Sequence, residues 1–169
     1  EILPGLRRGL EAARRQPLAP DVLSSLAFLV DKVEHHLIEG VEARDRAWLR
    51  SFIRDVSAMV GEARQGRDPY SQKRGAFYRA YVSPFDGRDQ PYSVYVPPSY
   101  KPEKRAYPLI IALHGLGSGS HLTMRRLFGH DPPRYHPIDH DIQGGFPPLK
   151  DHGVLVATTW SYGRAAFSY

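Results

Sequence analysis

Apolar residues recur at three- and four-residue spacing toward the start of the chain. Val22, Leu23, Leu26, Leu29, Val30, Val33 and Leu37 form one stripe, and Asp31, Lys32 and Glu34 fall off it. That period predicts an amphipathic helix over residues 20–39, which Gly40 stops. A second stripe of Trp48, Leu49, Phe52, Ile53, Val56, Met59 and Val60, with Arg44, Arg46, Arg50, Arg54 and Asp55 facing elsewhere, predicts a helix over residues 41–64. A shorter one is expected over residues 6–15. Two or three helices joined by short Pro and Gly breaks make a small antiparallel bundle or a layer on a neighbouring domain. Such a segment serves either as a structural appendage or as a lid over substrate.

From Gly75 the period changes to two. Phe77, Arg79 and Tyr81 alternate with Tyr78, Ala80 and Val82, and after an Asp86-Gly87 turn Tyr92, Val94 and Val96 alternate with Ser93 and Tyr95. This predicts a β-hairpin with a long polar loop, ended by Pro97-Pro98. Beyond a charged loop, Leu109-Ile110-Ile111-Ala112-Leu113 runs without polar interruption, as a strand buried on both faces of a parallel sheet does. Gly153-Val154-Leu155-Val156-Ala157-Thr158 repeats the pattern, and the residues between leave room for a crossover with a helix near residues 122–128.

Proline distribution supports the same division, with three prolines before residue 69 and twelve from Pro69 onward. The expected organisation is a helical segment over residues 1–70 and an α/β region over residues 71–169.

Composition narrows the chemistry. The absence of cysteine excludes disulfides, a thiolate nucleophile and Cys-ligated metal sites. The net charge of +5 arises wholly after residue 70: 11 Lys/Arg balance 11 Asp/Glu before it, and 12 stand against 7 after it. That surplus is dispersed as single residues or pairs such as Lys73-Arg74 and Arg125-Arg126, not as a basic stripe with interleaved aromatics, so nucleic acid is not an expected partner. The longest apolar stretch, residues 22–30, is interrupted by Ser24 and Ser25 and is too short for a membrane span. The first residue is Glu, not Met, so the chain reads as a piece of something longer.

The most informative stretch is Leu113-His114-Gly115-Leu116-Gly117-Ser118-Gly119, directly after an apolar strand. Three glycines at alternate positions let the backbone turn sharply and leave its N–H groups uncovered, as an anion or oxyanion binder requires, although a plain Gly-rich connector has the same composition.

With its context, this stretch resembles the α/β-hydrolase superfamily, in the branch of feruloyl esterases, polyhydroxybutyrate depolymerases and prolyl-oligopeptidase-like hydrolases. The residues that carry the resemblance are Tyr92-Ser93-Val94-Tyr95-Val96-Pro97-Pro98-Ser99-Tyr100, Tyr107-Pro108-Leu109-Ile110-Ile111-Ala112-Leu113-His114-Gly115 and Gly153-Val154-Leu155-Val156-Ala157, within about residues 76–164. The resemblance implies that the Leu116 N–H donates to the oxyanion of a tetrahedral intermediate, that Gly115 and Gly117 shape the turn, and that His114 is structural. It further implies a serine hydrolase acting on esters through an acyl-enzyme, without a cofactor, in a branch whose members are often exported.

One departure from the family pattern is large. No serine has glycines two positions to either side, as the G-x-S-x-G elbow needs, and Ser118 and Ser120 lie on or next to the oxyanion turn, upstream of where an elbow belongs. The nucleophile and triad are therefore expected in a C-terminal remainder of the same polypeptide, with this chain as the first half of the hydrolase sheet. Counting agrees: an α/β region that starts near Gly75 with two apolar strands is too small to cover a parallel sheet on both faces, and residues 75–169 are not expected to fold alone.

Trp160, Tyr162 and Arg164 follow the second apolar strand, where open α/β sheets bind ligands, and are the candidate substrate-binding residues, although aromatics after a strand are more often packing residues. Six of the eight histidines lie from His114 to His152, but His136-Pro137-Ile138-Asp139-His140-Asp141 has a proline where a metal-binding helix would need continuity, so it reads as a polar loop and no metal is expected. The long connection over residues 129–150 is either a border of the active-site mouth or a rigid insertion. Two other readings stand beside the esterase: a prolyl-oligopeptidase-like peptidase, with a peptide in place of the ester, and a non-catalytic module whose Gly-rich turn holds an anion or whose helices dock a partner.

Overall fold

The fold is that of a computed structural model, described for residues 2–41, 45–113, 119–130 and 149–159. Three helices come first: α1 (Ile2–Ala13), α2 (Pro20–Glu39) and α3 (Arg46–Ala63). Strands β1 (Gly75–Val82) and β2 (Asp89–Val96) follow, then β3 (Leu109–Ala112), helix α4 (Ser120–Leu127) and β4 (Leu155–Thr159). The chain divides into two compact units. One holds Glu1–Lys73 with Arg79–Pro91, and the other holds Arg74–Tyr78 with Tyr92–Tyr169, so the hairpin contributes residues to both.

In the helical unit, α2 occupies the residues that its apolar period predicts. Pro20 stands in its first turn, where the missing N–H costs nothing, and Gly40 ends it at φ 77°, a conformation strained for any residue with a side chain. Each helix packs on the other two. Leu6, Leu10 and Ala13 of α1, Val22, Leu26, Leu29, Val30 and Val33 of α2, and Val56, Met59, Val60 and Ala63 of α3 are all buried. Gly9 lets α1 approach α3 closely, since a β-carbon there would lie 2.5 Å from Val60 Cγ1. The tip of the hairpin belongs to the same unit. Asp21 pairs with Arg79, whose guanidinium lies 4.3 Å from the Tyr70 ring centroid. Ser25, fully buried in α2, accepts the Ala80 N–H at 2.8 Å, while its own O–H has the Asp21 carbonyl at 2.5 Å and the Ala80 carbonyl at 3.1 Å, so the hydroxyl ties α2 to the edge strand β1.

His36, on α2, is also buried, and its ring meets Trp48 and Phe52 of α3 edge-on at 5.3 and 6.3 Å. Its Nε2 has no hydrogen-bond partner. Burial, with the positive charge of Lys32 and then His35 adding to it, pushes the imidazole down to about 4.

In the second unit the sheet order is β1-β2-β4-β3. β2 runs antiparallel to β4, with Ser93 opposite Thr158 and Tyr95 opposite Val156. β3 runs parallel to β4, with Ile110 opposite Val156 and Ala112 opposite Thr158. Helix α4 packs on β4, and Met124 joins Tyr95 and Val156 in a core edged by Ala76, Phe128, Leu149 and Val154. The link between β2 and β3 is tied down by Asp151, which accepts from the Ser99 N–H, the Ser99 hydroxyl and the Gly153 N–H at 2.7 to 3.0 Å. The result is a mixed α/β fold in which an antiparallel hairpin leads and a parallel pair follows.

One expectation is corrected. β3 is not buried on both faces: Leu109, Ile110 and Ile111 are 57%, 46% and 65% exposed, and Leu113 just beyond is more so. The apolar run identified a strand, but burial depends on neighbours, and β3 lies at the sheet edge with β4 as its one partner among the described residues. Helix α3 begins at Arg46 where the expectation began at residue 41, and residues 42–44 lie outside the described residues.

Two outcomes test this packing. Gly9→Ala drives a methyl into the stiff Val60 side chain and should destabilise the helical unit by about 1 to 2 kcal/mol despite better helix propensity, whereas Gly61→Ala, with nothing within 4 Å, should stabilise it by roughly 1 kcal/mol. Urea unfolding followed by the helical circular dichroism signal reads both. For His36, unfolded chains take up a proton below the ordinary value of 6.5 while the native imidazole stays neutral to about 4. Stability should therefore fall as pH drops from 6.5 towards 4, by on the order of 2 kcal/mol between pH 7 and pH 5. His36→Leu should remove most of that difference in the same titration.

Candidate functional site

β3 ends at Ala112 and α4 starts at Ser120, so the Gly-rich stretch connects the carboxyl end of a sheet strand to a helix N-terminus. Residues 114–118, which include Gly115, Leu116 and Gly117, lie outside the described residues, as do Trp160, Tyr162 and Arg164 and the His136–Asp141 motif. What is described is the pair of elements on either side of that stretch.

Gly119, extended at φ −106° and ψ 177°, precedes α4 and offers it no side-chain cap. Just behind it three hydroxyl side chains meet, each with no solvent exposure: Ser93 on β2, Ser120 at the start of α4 and Thr158 on β4. The Ser93 and Ser120 hydroxyls share a hydrogen bond of 2.7 Å. Thr158 Oγ1 donates to the Ser120 carbonyl at 2.8 Å, with the Ser93 carbonyl 3.5 Å away. His121, 1% exposed, meets the Tyr78 ring edge-on at 6.1 Å.

This polar layer ties the start of α4 to β2 and β4, and the buried Ser120 hydroxyl is hydrogen-bonded to that of Ser93. At the other end of α4, Arg125 and Arg126 stand in the last turn, where the helix dipole favours positive charge. No group of three or more His, Asp or Glu among the described residues could hold a metal ion, and no described helix is long and apolar enough to cross a membrane.

The sequence-level candidates concentrated on the turn and missed Ser93 and Thr158. A signal was available: a single hydroxyl residue at alternate positions with Tyr95 or Val156 is out of place on a strand face that turns inward. In β2 it is Ser93 and Tyr95 that are buried, while Tyr92, Val94 and Val96 are only partly so. The chain matches no protein-family model, no curated protein and no solved structure.

Proposed function

We propose that this chain is the front part of a serine hydrolase that cleaves carboxylic esters through an acyl-enzyme. In this reading it supplies the oxyanion turn, and a C-terminal remainder of the same polypeptide supplies the nucleophile and the rest of the triad. The observation that carries the reading is the order of elements, an antiparallel hairpin, then β3 paired parallel to β4, then α4, with the His-Gly stretch between β3 and α4 in the sequence. Ligands of open α/β sheets bind at the carboxyl ends of such strands, and the Leu116 N–H falls in the segment between them.

The exposed apolar β3 supports the remainder. An uncovered strand with isoleucine or leucine on both faces invites aggregation, and a further strand along its edge with helices over both faces removes that exposure. Catalysis then divides as follows. The remainder's serine attacks the ester carbonyl, its histidine takes the serine proton and returns it to the leaving alcohol, and the Leu116 N–H stabilises the oxyanion. Water repeats the cycle to release the acid. Trp160, Tyr162 and Arg164 are proposed to border the acyl or alcohol side of the substrate.

A fluorophosphonate probe and a p-nitrophenyl ester panel, applied to the polypeptide with its remainder, test this reading. Covalent labelling of one serine beyond residue 169, with ester turnover, is the expected result; a folded polypeptide with neither overturns it. Leu116→Pro removes the N–H donor and should lower kcat by about 100-fold or more, while Leu116→Ala, which keeps the N–H, should lose far less.

A further inference from the structure

We infer from the helical unit alone, independently of the hydrolase reading, that the end where α2 finishes and α3 begins is a docking surface for an anionic lipid bilayer. His36 meets the rings of Trp48 and Phe52, which stack on each other at 5.3 Å, so the two helix ends lie together. Leu37 and Ile38 directly follow His36 and stand in water, 46% and 72% exposed. On α3, Arg46, Arg50 and Arg54 are spaced four residues apart and so follow one face of the helix, with a rise of about 6 Å between them. All three are exposed, and no acidic residue occurs among residues 46–54. Arg54 donates to the Ser51 hydroxyl and lies 3.9 Å from Asp55. Among the described residues, Arg46 and Arg50 make no ion pair.

The mixture of charge and apolar surface selects the partner. Residues 1–70 carry as many acids as Lys and Arg, so the row on α3 is a local separation of charge and not a general excess. One exposed apolar residue is ordinary, but Leu37 and Ile38 stand together at the same end as a half-buried Trp48 and the arginine row. An acidic protein segment would satisfy the arginines and leave Leu37 and Ile38 in water. A bilayer takes both: guanidinium groups meet lipid phosphates, apolar side chains enter the acyl boundary, and an indole sits at headgroup level. The buried side of α3, with Val56, Met59, Val60 and Ala63, stays in the core of the unit, so the contact is peripheral and rests on the outer face of the helix. Glu39, exposed at the same end, opposes anionic lipid and keeps the attachment reversible and sensitive to salt.

Co-sedimentation of the full-length polypeptide with lipid vesicles is the test, with circular dichroism to establish that each variant is folded. Phosphatidylcholine vesicles containing about 30% phosphatidylserine should bind it about 10-fold or more tightly than phosphatidylcholine alone, and raising salt from about 0.1 to 0.5 M should remove most of that gain. Arg46→Gln with Arg50→Gln should lower the partition coefficient by about 10-fold or more, and Ile38→Asn by roughly 5-fold. The control removes two exposed cations from the opposite end of the unit, where Gln16 approaches Gly66: Arg15→Gln with Arg67→Gln should change partition by less than about 3-fold. Should the Arg46 and Arg50 double variant fail to fold, Ile38→Asn and the lipid comparison carry the test. The inference is overturned if anionic vesicles are not bound, if neutral vesicles bind as well, or if the control pair loses as much as the α3 pair. It is also overturned if a polyglutamate peptide displaces the vesicles while Ile38→Asn binds like wild type, which would mark a surface for acidic protein. None of these outcomes bears on the hydrolase reading, which the serine probe tests separately.

Discussion

β4 is paired along both edges by strands of opposite polarity, antiparallel to β2 and parallel to β3, and the rest of the sheet unit follows from that double pairing. A strand with two neighbours must place alternate side chains into a covered face, so Val156 and Thr158 turn towards α4 and are buried. The same register sets Tyr95 and Ser93 beside them, and Met124 of α4 closes the apolar half of the layer. Thr158 of β4 thus meets both the last residue of β3, opposite Ala112, and the first of α4, through the Ser120 carbonyl.

Both units use a buried serine or threonine hydroxyl where a helix meets a strand. Ser25 of α2 ties that helix to the edge strand β1, and Thr158 of β4 holds the first carbonyl of α4. A helix cannot extend a β-ladder, because its own backbone groups are committed within it. A small side chain with one donor and two lone pairs joins the two kinds of backbone without a gap in packing. These residues are mute in a hydropathy pattern, where they register as breaks in an apolar stripe.

Legibility in the sequence varies with the range of the interaction. The α2 stripe from Val22 to Leu37 predicts its helix and its end at Gly40 because helical period and glycine conformation are local properties. The hairpin and the helix after the Gly-rich turn are readable for the same reason. The apolar run at residues 109–113 marks a strand correctly and its burial incorrectly, since hydrophobicity records what a strand can bury and its neighbours decide what it does bury. Near the candidate stretch, glycine spacing is legible in the sequence, but the hydroxyl layer of Ser93, Ser120 and Thr158 comes from three elements far apart in the chain.

The sequence by itself determined the identity of the elements, the break between a helical and a strand-rich part, and the placing of a Gly-rich stretch between an apolar strand and a helix, because each is set by side-chain periodicity or by composition within a few residues. Only the tertiary structure decided that β4 inserts between β2 and β3, that β3 is left at an exposed edge, and that Thr158 sits opposite Ala112 while bonding Ser120. Strand order and register come from the joint packing of distant segments against α4, and no local pattern encodes which strands become neighbours.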